Sequence, residues 1–76
     1  MSTFAKIRDI IAATINVPAE TITDSLAIGD IPQWYSMGNM AIIAAIEENT
    51  GIEFPIEDLF ELKSVKALVD EIEKLS

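Results

Sequence analysis

The sequence predicts an all-α fold, a four-helix bundle of three long helices and one short, with a long loop between helices 1 and 2. Three observations lead there. Apolar residues recur at three- and four-residue intervals in three separate stretches, which is the period of amphipathic helices. Strand-type alternation is almost absent, being limited to Ile52-Glu53-Phe54. Stop signals, Asn16 to Pro18 and Gly51, fall where periodic stretches end. A chain of 76 residues has room for one core, so a single domain over residues 1–76 is expected.

In the first helix, Phe4, Ile7, Ile10, Ile11, Thr14 and Ile15 share one face, which sets its span at about Thr3 to Ile15. Asn16, Val17 and Pro18 end it. From Pro18 to Tyr35 no period is sustained, and Gly29, Asp30 and Pro32 mark an ordered loop anchored by Ile22, Leu26 and Ile28. A loop of that length in so small a domain usually has a functional task. Ser36 opens a second helix of about 15 residues, with Met40, Ile42, Ile43, Ile46 and Thr50 as its inward stripe and Gly51 as its stop. Ile52 to Pro55 connects to a helical turn or two over Ile56 to Leu62. The last helix runs from Ser64 to Leu75 with Val65, Leu68, Val69, Ile72 and Leu75 on its apolar face.

The longest apolar run, Met40 to Ile46, is far below the roughly 20 residues that span a bilayer. The first residues, Met1 to Arg8, lack the pattern of a secretory leader, so a soluble protein in the cytoplasm is expected. Cysteine is absent, which excludes disulfides, thiolate metal sites and a cysteine nucleophile. Thirteen acidic residues against five basic ones give a net charge of -8, and no Lys or Arg lies between Asp9 and Leu62. Such a surface repels nucleic acid and anionic lipid and favours basic protein partners; it also fits a merely solubilising coat. A monomer is expected.

Catalysis by the chain itself is disfavoured, because histidine is missing together with cysteine. The carboxylate pairs Glu47 with Glu48 and Glu57 with Asp58 are helix neighbours pointing about 100° apart, as solvated residues do. No calcium-loop spacing occurs near Asp24 or Asp30, and no metal site is expected. Ser36 differs from these residues because it stands exposed where a long loop meets a helix. A phosphate there is favoured by about 0.3–1 kcal/mol through the first-turn N–H groups. Local chemistry by itself favours plain capping there, with Ser36 as N-cap and Tyr35 and Met40 packed as a hydrophobic staple.

The segment Gln33-Trp34-Tyr35-Ser36-Met37-Gly38-Asn39-Met40, followed by Ala41-Ile42-Ile43-Ala44-Ala45-Ile46-Glu47-Glu48, resembles the attachment site of acyl carrier proteins. The loop residues Ile22 to Leu26, the Ile52-Glu53-Phe54-Pro55 connector, Asp58-Leu59 and Ser64-Val65-Lys66-Ala67-Leu68 follow the family's layout, so the resemblance covers nearly the whole chain. It implies an acyl-carrier-like bundle that is not an enzyme. Ser36 would be esterified by a phosphopantetheinyl transferase, which takes the 4'-phosphopantetheine arm from coenzyme A. The arm's thiol would carry an acyl or aminoacyl group as a thioester, in fatty-acid, polyketide or related biosynthesis.

Family members carry Asp-Ser-Leu or Asp-Ser-Met at this site, whereas Tyr35 precedes the serine here; Gly38 and Ala41 stand where many fatty-acid carriers are acidic. The Trp34 and Met37-Gly38 pattern is similar to carriers of specialised pathways. Docking of acyl-loading and acyl-transferring enzymes with basic surfaces would use Met37, Met40, Glu47, Glu48, Glu57, Asp58 and Glu61. The acyl chain would enter a space among Ile43, Ile46, Phe54, Leu59, Phe60, Leu62 and Leu68, residues that suit a plain core equally well. Because Tyr35 replaces a charge with bulk, an unmodified carrier-like bundle acting as a protein-binding module stands as the alternative.

Overall fold

The computed structural model describes residues 2–76 and contains helix α1 (Thr3–Ile15), helix α2 (Ser36–Thr50) and helix α3 (Val65–Leu75). A single 3-10 turn, Ala19–Thr21, interrupts the long loop, and a short 3-10 helix, Ile56–Glu61, joins α2 to α3. This is the expected all-helical bundle. Among the described residues there is no strand, only an isolated antiparallel bridge between Ala27 and Ser64.

Local chemistry sets the ends of α1 and α3. The Ser2 hydroxyl accepts from the Ala5 N–H at 3.1 Å, and the Ser64 hydroxyl accepts from the Ala67 N–H at 3.1 Å. Each satisfies one of the first-turn donors that a helix leaves open. Asn16 closes α1 at φ 60, and Gly51 closes α2 at φ 72, where its N–H donates to the Glu47 carbonyl at 2.9 Å. Glycine adopts that left-handed backbone without steric penalty, and asparagine tolerates it better than most residues.

Helix α1 lies between the other two and packs on both. Ile7 and Ile11 from α1, Ile42 and Ile46 from α2, and Val65 and Leu68 from α3 are sealed from solvent. Burial of each such side chain is worth about 1.5–3 kcal/mol. The long loop is also held down. Ile22 is buried, the Ile28 N–H donates to the Lys63 carbonyl at 2.9 Å, and the Val65 N–H donates to the Leu26 carbonyl at 3.0 Å.

Two sequence expectations change. Met40 is not part of the inward stripe of α2 but stands 72% exposed, and Asn39 occupies the buried position beside it. The cap of α2 is Tyr35, with extended backbone, and Ser36 is the first helical residue. Tyr35 and Met40 both stand in solvent, so they form no hydrophobic staple.

Candidate functional site

Ser36 is exposed at the start of α2, and Tyr35, as the cap, offers no side-chain acceptor to the first turn. The helix instead begins with the Asn39 N–H donating to the Tyr35 carbonyl at 2.7 Å. The preceding first-turn amides therefore keep their donors free of side chains, beside the positive end of the helix dipole.

The loop approaches this turn closely. A Cβ on Gly38 would lie 2.7 Å from the Gln33 carbonyl oxygen, closer than real Cβ atoms come. This position of α2 therefore needs glycine for steric reasons. Next to that contact Trp34 is fully buried, its N–H donating to the Ile31 carbonyl and its carbonyl accepting from the Gly29 N–H at 2.8 Å. Its indole Nε1–H donates to Asn39 Oδ1 at 2.8 Å, and Asn39 Nδ2 donates to the Leu62 carbonyl at 3.1 Å. Both ends of the Asn39 amide are thus satisfied in a covered site, as a buried polar side chain requires.

Beside this bracket, α2 and the 3-10 helix enclose a groove of about 410 Å³. Met40, Ile43 and Ala44 form one wall, and Ile56, Leu59 and Phe60 the other. The exposed large apolar side chains lie around it and around Ser36: Tyr35 at 55%, Met37 at 71%, Met40 at 72%, Ile56 at 77% and Phe60 at 78% exposure. Sequence reasoning did not select Ile56 for any role. Its signal was position alone, next to Pro55 at the head of the 3-10 helix.

The structure separates the residues expected to form the acyl space. Ile43 and Leu59 line the open groove, while Phe60 is exposed at its rim. Ile46, Phe54, Leu62 and Leu68 lie in the closed core beneath. The residues expected to dock partners also divide. Met37, Met40, Glu48, Glu57 and Glu61 are exposed, whereas Glu47 and Asp58 are partly covered. Glu47 Oε2 accepts from the Phe54 N–H at 2.8 Å, and Asp58 Oδ2 lies 3.8 Å from Lys74 Nζ.

Behind Asp58, Glu71 is buried on α3, with Oε1 3.8 Å from Lys74 Nζ and Oε2 without a hydrogen-bond partner. Its pKa is raised above the ordinary carboxylate value, chiefly by the neighbouring Asp58 carboxylate and then by burial. No cluster of three ligating side chains suited to a metal ion occurs among the described residues.

Residues 36–72 match the family model described as phosphopantetheine attachment site, and the match begins on Ser36. The stretch is similar to the phosphopantetheine attachment sites of carrier proteins. In a carrier of this type the cofactor is 4'-phosphopantetheine, held covalently, and the chain works by interacting with a phosphopantetheinyl transferase and with biosynthetic enzymes. The residues present fit that group, because an exposed hydroxyl stands beside first-turn amides that no side chain occupies. Among the described residues no helix is long and apolar enough to cross a membrane.

Proposed function

We propose that Ser36 takes the phosphopantetheine arm and that the chain carries an acyl or aminoacyl group on it for enzymes of fatty-acid, polyketide or related biosynthesis. The observation that carries this reading is the exposed Ser36 at the first residue of an α2 without a side-chain cap, at the head of the matched segment. The arm supplies a terminal thiol that holds the cargo as a thioester. Ser36 supplies the point of attachment. The N–H groups of its turn stabilise the phosphate, worth about 0.3–1 kcal/mol.

Partner enzymes dock on the flank of α2 and on the 3-10 helix. The centre of that face is apolar, formed by Met37 and Met40 with Ile56 and Phe60, and Glu48, Glu57 and Glu61 surround it. Methionine adapts to differently shaped surfaces, which suits a protein that meets several enzymes in turn. Basic residues on those enzymes meet the carboxylate rim and set orientation and encounter rate more than affinity. Glu47 and Asp58, engaged inside the molecule, contribute to docking less than the exposed acids. The groove over Ile43 and Leu59 is the place for the first part of an acyl chain, with the core beneath opening only if side chains move.

Tyr35 favours a second reading, in which the fold is a carrier's but the site is not modified and the apolar face binds a protein partner. One experiment separates the two. The purified chain is incubated with coenzyme A and a broad-range phosphopantetheinyl transferase, beside Ser36→Ala and Tyr35→Asp, and the intact masses are recorded. The expected result is an arm on the parent and none on Ser36→Ala. Modification of Tyr35→Asp alone would make the binding-module reading the correct one.

A further inference from the structure

Helices α1 and α3 are capped by Ser2 and Ser64, while α2, the helix that bears Ser36, has no capping side chain. A capping hydroxyl would occupy the same first-turn amides that a phosphate on Ser36 requires. The start of α2 is held from behind instead. Trp34, fixed in the core, donates its indole hydrogen to Asn39, and Asn39 donates to the Leu62 carbonyl at the end of the 3-10 helix. The Asn39 backbone N–H, through the Tyr35 carbonyl, closes the first turn of the helix. Tyr35 and Ser36 are therefore suspended between two buried anchors, and the close approach of Gln33 to Gly38 removes the remaining play.

From this arrangement we infer that Trp34 and Asn39 are positioning residues for the modification of Ser36. The inference rests on the reading of Ser36 as the attachment residue. In the transfer the Ser36 oxygen bonds to the phosphorus of the coenzyme A arm. Its proton passes to a base of the transferase, and the P–O bond to the nucleotide portion breaks. Trp34 and Asn39 touch none of these atoms. They fix the point from which the hydroxyl projects while leaving the amides of its turn open.

The test is the steady-state rate of arm transfer to the full chain from coenzyme A, for the parent, Asn39→Leu and Trp34→Phe. Each variant is measured at a temperature where its helical circular dichroism is intact. Misplacement of a reacting group by about 1 Å can cost up to roughly a hundredfold in rate, so kcat for Asn39→Leu is expected to fall by about ten- to a hundredfold. The KM for coenzyme A, which the transferase binds, stays unchanged. Trp34→Phe keeps an aromatic ring in the core but loses the indole donor to Asn39 and part of the ring volume, and its kcat is expected to fall as well. A merely structural role would leave kcat of the folded variants at the parent value, and that result would overturn the inference. If Asn39→Leu does not fold, Trp34→Phe decides alone by the same criterion. A parent that accepts no arm refutes the reading of Ser36 and the inference with it, an outcome distinct from a modified parent with unaffected variants.

Discussion

On α3, Val65, Leu68 and Ile72 are buried, and Lys66, Asp70, Glu73 and Lys74 face the solvent. On α2, Ile42 and Ile46 are equally buried, yet Met37, Met40, Ala41 and Ala44 are turned outward. Stability alone would select the α3 pattern for both, since an apolar side chain left in water contributes nothing to burial and invites association. Helix α3 is thus scaffold on one side and solvated on the other, while α2 is scaffold on one side and carries exposed apolar side chains on the other. The 3-10 helix continues that surface with Ile56 and Phe60.

The comparison breaks most visibly through the core. Ile11→Ala on α1, at a fully buried position, is expected to lower stability by about 2–5 kcal/mol in urea unfolding. Total stabilities of small domains are about 5–15 kcal/mol, so this variant lies near the limit of folding. By contrast, Met40→Ser and Phe60→Ser together should leave the urea midpoint almost unchanged, each within about 0.5 kcal/mol. The same pair should raise the KM of the chain as a substrate of its transferase. A loss of stability comparable to that of Ile11→Ala would show the outward face of α2 to be core after all.

The smallest expected effect concerns Glu71. Its folded pKa lies above the ordinary value of 4.5, so the folded chain binds more protons than the unfolded chain between 4.5 and the raised value. Stability from this group is therefore fully present below pH 4.5 and is lost as pH rises through the folded pKa. Glu71→Gln should raise the melting temperature at pH 7, with the gain shrinking toward pH 4.5. A gain independent of pH would remove the effect of the Asp58 carboxylate on Glu71 from the account.

Much of this architecture is legible in the sequence because the period and its stops agree. The bounds of α1 follow from Phe4 to Ile15 and from Asn16, and those of α2 follow from Ile42, Ile46 and Gly51. Periodicity failed at Met40 because the run from Met40 to Ile46 is apolar on every side and names no face. Asn39 is not legible as a buried residue because a polar side chain is buried only if distant partners satisfy it, here Trp34 and the carbonyl of Leu62, 23 residues away. Glu47 was read as a free surface acid for the same reason, since its partner, the Phe54 N–H, comes from a connector beyond the helix. Ser36 was legible as a candidate, but whether it or Tyr35 caps α2 depends on one residue's backbone angles, which composition does not set.

The contact between Gly38 and the Gln33 carbonyl limits how this carrier can be redesigned. A more acidic α2, intended to attract strongly basic enzymes, is open to substitution at Tyr35 and at Ala41, both exposed. At Gly38 any side chain displaces the loop, and with it the seat of Trp34. Charge can therefore be added on either side of Gly38 but not at Gly38 itself, so the first turn of this helix keeps one neutral position between two that are free to change.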